Sequence, residues 1–254
     1  INGGYLEAFT RNWEPIDDLR LSDKDENEKK TMNTHLHVLE AYSNLYKVWK
    51  DEQLAKAIGD LLNIFSDKIV DPVSNQQQLF FSENWEPRSS VISFGHDIEA
   101  AWLLQEAAEI LQDEGTVNRF RKLAIKMADA ALAAIDTDGG LCYELNTASG
   151  DVNKEKHWWP QAEAMVGFFN AYELTHDIKY LAASQNSWAF IQHHLLDKEY
   201  GEWYWGVKED GSIMNKEKAG FWKCPYHNSR ACIEISRRIT EWQLLLGNSN
   251  LLAD

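Results

Sequence analysis

The stretch HDIEAAW, residues 96–102, has counterparts at three other places in this chain of 254 residues. The counterparts begin at His37 (HVLEAY), Pro160 (PQAEAMV) and His227 (HNSRACI), roughly 60–65 residues apart, a period that is typical of helical repeats. In each copy the third residue after the start is acidic or basic and is followed by alanine: Glu40–Ala41, Glu99–Ala100, Glu163–Ala164 and Arg230–Ala231. The recurrence predicts equivalent helices that approach each other closely at these alanines.

Helical periodicity surrounds each copy. Apolar residues recur at helical spacing over 37–49, 51–69 and 120–135. A stretch rich in Gly or aromatic residues precedes each copy, at 3–9, 78–85, 139–146 and 201–207, and we predict a β-hairpin there. One unit is therefore a hairpin, an inner helix, a short turn and an outer helix.

A two-helix unit of this size cannot bury both of its faces alone and must stack on its neighbours. Stacked units form either an open solenoid or a closed toroid. We favour closure, because the polar residues at the same end of every inner helix then converge on one point. The expected fold is all-α, an (α/α)6 barrel. Six units need roughly 390 residues, so we expect residues 1–254 to be one catalytic domain that lacks the N-terminal third of the barrel.

Composition narrows the ligand class. The net charge is −15, the pI is about 4.9 and no basic block is present, which argues against nucleic acid and anionic membranes as partners. A neutral or cationic small molecule fits better. No apolar run of about 18 residues and no signal sequence appear. Three cysteines without CxxC spacing fit a reducing compartment, so we expect a cytoplasmic protein.

Candidate catalytic residues follow from the repeat. Residues i and i+3 share a helix face, which places His37 with Glu40, His96 with Glu99, and His227 with Arg230. Asn33 lies one turn before His37, on the helix that Thr31 is suited to open, whereas His35 faces elsewhere. Histidine exchanges protons near neutral pH, and a neighbouring carboxylate orients its ring. Two such residues on opposite sides of one carbon could remove a proton from one face and return it to the other.

Other interpretations of the same residues stay open. A single histidine near a helix start is ordinarily a packing residue, and it is the recurrence in three of four units that favours a shared pocket. His37, His96 and His227 could instead hold zinc, but HExxH and cysteine-rich ligand spacing are absent and we predict no metal. His176, His193 and His194 are predicted to lie at the surface, and His157 is unassigned.

Four longer motifs carry a family resemblance: TMNTHLHVLEAYSNLYKVW (31–49), SFGHDIEAAWLL (93–104), WWPQAEAMVGFFNAY (158–172) and WKCPYHNSRACIEI (222–235). In order and spacing they resemble the cellobiose 2-epimerases of the N-acylglucosamine 2-epimerase superfamily. The resemblance covers nearly the whole chain. It implies an (α/α)6 barrel that needs no cofactor and inverts C2 of the reducing-end glucose in β-1,4-linked disaccharides.

The resemblance also implies residue roles. His96 and His227 are the acid/base pair that works through a cis-enediolate, and Glu99 assists His96. His37 aids ring opening or holds the sugar, and Asn33 binds its hydroxyl groups. Trp159 and Trp222 stack on the sugar, with Trp158 a less certain neighbour. Tyr226, Asn228 and Arg230 surround His227, and Arg230 is equally suited to a structural ion pair.

Two features depart from the family pattern. Ser229 replaces the glycine of the usual HNGR, a small change that leaves the chemistry intact. The family's substrate-binding arginine lies on an earlier helix, in the portion that we expect to be missing.

The alternative functions are an epimerase or isomerase for N-acylglucosamine, mannose or glucose, a glycoside hydrolase or lyase using Glu99 and Glu163, and a non-catalytic sugar-binding module. The sequence leaves the oligomeric state open, a monomer included.

Overall fold

The computed structural model describes residues 3–251 of the chain, with side chains described as far as residue 244. This range contains seven α-helices: α1 (Met32–Val48), α2 (Glu52–Ile64), α3 (Phe94–Leu111), α4 (Glu114–Leu132), α5 (Trp158–Thr175), α6 (Ile178–Phe190) and α7 (Tyr226–Leu251). The all-α prediction is confirmed. None of the described helices is long and apolar enough to cross a bilayer.

The helices are of two kinds. In α3 and α5, 13 of the 18 residues are buried, including Glu99 and Glu163, and the last turn of each is partly accessible. Helices α2 and α4 bury one face, with Leu54, Ile58, Leu61 and Leu62 following the i, i+4, i+7, i+8 pattern in α2. The predicted alternation of inner and outer helices is therefore present, and α1–α2, α3–α4 and α5–α6 pack as pairs.

Aspartates start the outer helices after very short turns. Asp51, Asp113 and Asp177 are the N-caps of α2, α4 and α6, and each carboxylate accepts hydrogen bonds from backbone N–H groups of the first turn. These groups have no partner inside the helix, so a capping carboxylate stabilises the helix start. Gln112 and His176 end α3 and α5 in the left-handed conformation, at φ 60° and 57°. Each inner helix thus turns directly into its outer partner.

The short strands pair differently from the hairpin prediction. They are β1 (Lys30–Thr31), β2 (Phe80–Phe81), β3 (Val91–Ser93), β4 (Glu144–Asn146), β5 (Val152–Asn153), β6 (Lys156–His157) and β7 (Gly206–Val207). Of the four stretches, only 139–146 contributes a strand to a hairpin of two of these strands: it contains β4, which pairs with β5. Strand β4 also pairs with β3. The stretches at 78–85 and 201–207 each place a strand against residues about 50 positions earlier, in β1–β2 and β6–β7, and 3–9 contains no strand. A two-residue strand carries too little local pattern to reveal its partner.

Helices α2 and α6 end in the same unusual way. Each continues into one π-helical turn, Phe65–Ile69 and Ile191–Leu195, closed by N–H groups of Val70 and Leu196. An isolated β-bridge follows in both cases, Val70 with Gln77 and Leu196 with Trp203. The repeat seen in the sequence therefore extends to details of the backbone.

The chain folds as two compact units. The first comprises residues 3–134 and 144–153, and the second comprises residues 135–143 and 154–251. In the first unit α1 packs on α2 and α3, and α3 packs on α4. In the second unit α5 packs on α6 and α7. One catalytic domain over residues 1–254 stays a prediction.

Candidate active site

In the first unit, His37 and Glu40 meet on α1. The Nδ1 atom of His37 lies 3.3 Å from Glu40 Oε2, as expected for side chains three residues apart. The hydroxyl of Thr31 accepts a hydrogen bond from Thr34 N–H and caps the helix. Because α1 begins at Met32, His37 is the sixth residue of its helix, whereas His96 is the third residue of α3 and His227 the second of α7. Asn33 is half-buried in the first turn of α1.

At the start of α3, His96 contacts a serine that the sequence had not singled out. His96 is half-buried, and its Nδ1 atom lies 2.8 Å from the hydroxyl oxygen of Ser93. Ser93 stands at the N-cap position but makes no capping hydrogen bond with its side chain. A serine here normally accepts from the first-turn N–H groups, so its hydroxyl serves the imidazole instead. Glu99 follows one turn later and is fully buried.

In the second unit, Glu163 connects α5 to α7. Its Oε1 atom lies 2.7 Å from His227 Nδ1 and 2.7 Å from Arg230 Nη2. Glu163 is fully buried, while His227 is 18% exposed at its side chain. Arg230 also donates from Nη1 to the Tyr226 hydroxyl, 2.5 Å away. Arg230 thus forms the ion pair that is one of the two roles expected from the sequence.

The charge state of Glu163 follows from these partners. Burial by itself raises the pKa of a carboxyl group, but the Arg230 guanidinium and His227 outweigh burial and lower the pKa of Glu163 to about 2. The carboxylate is therefore ionised at neutral pH and accepts a hydrogen bond from a protonated Nδ1 of the imidazole. This contact fixes the ring orientation and the tautomer of His227. Sequence reasoning missed this role, although Glu163 stood at a recurring position of the repeat.

The aromatic residues divide into site and core. The Trp159 ring lies 5.5 Å from the His227 ring, centroid to centroid, and Tyr143 packs edge-on against Trp159. Trp158, the uncertain neighbour, is buried against Trp205 and belongs to the core. Trp222 is half exposed and touches Phe221. Trp159 therefore lies beside a candidate catalytic histidine, and sugar stacking by Trp159 and Trp222 stays a prediction.

The remaining histidines are accounted for. His35 is buried between Tyr5 and Trp85, which confirms that it faces away from His37. His157 is buried, stacks on Tyr143 and lies 3.0 Å from Glu155 Oε2. The three histidines that were predicted to be on the surface are exposed: His176, His193 and His194.

Known proteins resemble this chain along most of its length. A cellobiose 2-epimerase of Bacteroides fragilis is 48% identical over 92% of this chain and 60% of its own length. The structure of the cellobiose 2-epimerase from Spirochaeta thermophila superposes with a TM-score of 0.87 at 42% identity, covering 95% of this chain and 60% of that one. A polysaccharide lyase shares only the fold, at 10% identity, 87% and 64% coverage and a TM-score of 0.61. The chain spans about 60% of the length of the curated relatives that it matches.

Sequence and structure agree on the class of the molecule. The similar structures include cellobiose 2-epimerases, in agreement with the (α/α)6-barrel fold expected from the sequence. Residues 6–231 match the family described as N-acylglucosamine 2-epimerase. The chain belongs to the N-acylglucosamine 2-epimerase family.

Proposed function

We propose that the protein is a sugar 2-epimerase that inverts C2 of the reducing-end glucose in β-1,4-linked disaccharides such as cellobiose and lactose. The observation that carries the proposal is the buried contact between Glu163 and Nδ1 of His227. It orients a half-buried imidazole for proton transfer, beside an aromatic ring suited to a sugar face. Membership of the epimerase family and the similarity to cellobiose 2-epimerases support the reaction class.

The chemistry has three steps. The hydrogen on C2 is acidic only when C1 is an open-chain aldehyde, so the ring opens first, with His37 assisting. One imidazole then takes the proton from C2, the electron pair of the C–H bond forms the C1–C2 double bond, and the π pair of the C1 carbonyl moves to O1, which gives a cis-enediolate. The second imidazole returns a proton to the opposite face of C2. We assign these two transfers to His96 and His227, with Glu99 assisting His96.

The remaining assignments complete the proposal. Asn33 and His37 hold the sugar, and Trp159 and Trp222 stack on it. The proposed substrate is a neutral saccharide, in keeping with a net charge of −15. The reaction needs no cofactor, and we place it in the cytoplasm because the chain uses few cysteines and no CxxC spacing.

The site does not favour Glu163 as the general acid of the hydrolase alternative. A glycosidase needs one carboxyl group that stays protonated near neutral pH to act as the general acid. Glu163 pairs with Arg230 and His227, which lower its pKa and keep it ionised. A charged Glu163 suits the orientation of an imidazole better than protonation of a leaving group.

The decisive experiment follows the C2 hydrogen. The full-length protein is incubated with cellobiose in deuterated water and observed by proton NMR. We expect loss of the C2 proton signal, appearance of glucosyl-mannose and no release of glucose. His96→Ala and His227→Ala are each expected to slow the formation of glucosyl-mannose at least about 10²-fold, whereas His193→Ala, at an exposed histidine just after α6, leaves it unchanged.

Other outcomes point to other functions. Release of glucose without exchange at C2 would identify a hydrolase. Binding of cellobiose without exchange or cleavage would identify a non-catalytic sugar-binding protein. Unchanged exchange in both histidine variants would contradict the assignment of the acid/base pair while leaving the epimerase activity standing.

A further inference from the structure

In three of the four repeat units, the second residue of the repeat ties its helix to the segment that precedes it. Asp97 Oδ1 accepts a hydrogen bond from Gln77 N–H at 2.8 Å. Gln161 makes two bonds of 2.8 Å, accepting from the N–H of Leu141 and donating to its carbonyl oxygen. Asn228 Nδ2 donates to Glu202 Oε1 at 2.7 Å. The same position therefore anchors α3, α5 and α7.

Two of these anchors stand next to a proposed proton carrier. Asp97 follows His96, and Asn228 follows His227. A second bond reaches His96 itself, because the side chain of Gln77 donates from Nε2 to the His96 carbonyl oxygen at 2.8 Å. Asp97 and Gln77 are fully buried. Gln77 thus holds the backbone at His96 through two hydrogen bonds, one from its backbone N–H and one from its side chain.

The anchor at α7 is reinforced by a buried lysine. Lys223 is 1% exposed, and its ammonium group donates to Glu202 Oε1 at 2.8 Å and to the Lys218 carbonyl oxygen at 3.0 Å. Glu202 Oε1 therefore accepts hydrogen bonds from both Lys223 and Asn228. A charge-assisted bond of this kind is stronger than a neutral one, so the first turn of α7 is tied firmly to the chain before it.

The charge state of Asp97 suits a structural hydrogen bond. Burial raises the pKa of Asp97 to about 7, against the opposing effect of the Gln77 hydrogen bonds. Its second oxygen, Oδ2, is buried without a hydrogen bond to any residue that the structure describes. A raised pKa lets the carboxyl group take up a proton near neutral pH, which lessens the cost of burying an unpaired charge. The equivalent residue in α5 is the neutral amide of Gln161, so an asparagine should replace Asp97 well.

We propose that Asp97 and Asn228 are positioning residues that hold the imidazoles of His96 and His227 at proton-transfer distance from C2 of the substrate. The proposal rests on the proposed function, because it assigns each residue to one of the two proton transfers. Proton transfer depends steeply on the distance and alignment of the groups. Small displacements of either helix start should therefore slow one transfer and leave the other intact.

The test measures isotope effects in both directions. The full-length protein, Asp97→Ala and Asn228→Ala are assayed with cellobiose and with glucosyl-mannose, each with hydrogen or deuterium at C2. Each imidazole removes the C2 hydrogen from only one of these epimers. We expect kcat to fall about tenfold in each variant, with KM changed less than twofold. In each variant the primary isotope effect should rise in the direction in which the slowed imidazole removes the C2 hydrogen, and fall in the direction in which that imidazole returns a proton. The two variants should therefore show opposite patterns.

Controls separate positioning from a loss of stability. Asp97→Asn keeps the acceptor for Gln77 N–H and should restore the isotope effects of the unaltered protein. Asp51→Ala removes the cap of the outer helix α2 and should lower Tm without changing either isotope effect. If Asp97→Ala does not fold, Gln77→Leu keeps the backbone N–H bond to Asp97, removes the side-chain bond to the His96 carbonyl and should shift the isotope effects in the same direction.

The outcomes distinguish this proposal from the proposed function. Isotope effects in Asp97→Ala and Asn228→Ala that match the unaltered protein, or that move in the same direction, would overturn the positioning roles while the epimerase stands. A full-length protein that never exchanges the C2 hydrogen would overturn the proposed function and this inference together.

Discussion

The buried ring of His35 has its protonation state set by two backbone groups. Its Nδ1 atom donates to the Thr31 carbonyl oxygen at 2.6 Å, and its Nε2 atom accepts from Tyr5 N–H at 2.9 Å. A second proton on Nε2 would face the N–H of Tyr5. Burial, together with the charge of Lys30, lowers the pKa of His35 to about 4 despite the bond to Thr31. The ring is therefore neutral in the folded protein.

This ring makes stability depend on pH. The unfolded chain binds a proton at His35 near pH 6.5, whereas the folded protein does so only near pH 4. The contribution is therefore fully present above pH 6.5 and is lost as the pH falls towards 4. We expect the free energy of unfolding to drop by roughly 2–3 kcal/mol over this window.

Urea unfolding at pH 7.5 and pH 4.5 measures this contribution. His35→Gln can donate to the Thr31 carbonyl and accept from Tyr5 N–H without titrating, so its free energy of unfolding should lose this part of the pH dependence. Equal pH dependence in both proteins would show that His35 protonates as easily folded as unfolded.

Glu163 provides a second prediction at the scale of one residue. Glu163→Gln keeps the size of the side chain but removes the charge that pairs with Arg230 and orients His227. We expect kcat for epimerisation to fall about 10²-fold. Glu173→Gln is a matched control, because Glu173 lies on α5 like Glu163 and pairs with a different arginine of α7, Arg238. A similar loss in both variants would assign Glu163 to stability alone.

Sequence reasoning reached some of these residues and missed others for a physical reason. The i, i+3 spacing predicts the contact of His37 with Glu40, because both residues belong to one helix. The contact of Glu163 with His227 joins residues 64 positions apart, and only the packing of α5 on α7 creates it. Ser93 was not singled out, because serine is common at helix starts. Local pattern identifies candidates, but partners from other helices follow from packing.

At the scale of elements, the β6–β7 pair leaves no room for a side chain at Gly206. A Cβ atom there would lie 2.6 Å from the Lys156 carbonyl oxygen and 3.0 Å from His157 Cα. Both atoms belong to the backbone of the partner strand, so the clash cannot be relieved by rotating a side chain. We expect Gly206→Ala to lower the free energy of unfolding by about 2 kcal/mol or more.

Gly59 is the matched control, since it lies inside α2 and a methyl group added there would meet open space. Alanine favours helices more than glycine does, so Gly59→Ala should raise the free energy of unfolding by about 0.5–1 kcal/mol. Urea unfolding of both variants gives the comparison. Loss of stability in Gly59→Ala, or none in Gly206→Ala, would contradict this account of the two sites.

The elements also show how far sequence patterns reach. Periodicity predicted α1, α2 and α4, and the repeat predicted the inner helices α3, α5 and α7. The aspartate turns between inner and outer helices follow from known capping preferences. The strand partners were not predictable, because β1–β2 and β6–β7 join residues that are distant in sequence. These strands are brought together by the packing of the helices between them, which the local sequence does not reveal.

At the scale of the whole molecule, the repeat led to the fold class and the relatives support it. The proposed chemistry then uses only side chains, and Arg230 forms an ion pair with Glu163. We expect dialysis of the full-length protein against a chelator to leave C2 exchange within about twofold of its starting rate. Loss of exchange that one divalent ion restores would show that a metal takes part.

The π turns at the ends of α2 and α6 impose a constraint on how this chain can change. Each holds one residue more per turn than an α-helix, closed by Val70 and Leu196. Deleting one codon there would remove the i→i+5 hydrogen bond that closes the turn and force its buried residues to repack, directly before the bridge to Gln77 or Trp203. The exposed loop tips at 72–74 and 198–200, a few residues later, have no such constraint. Length variation should therefore accumulate at the tips and spare the turns.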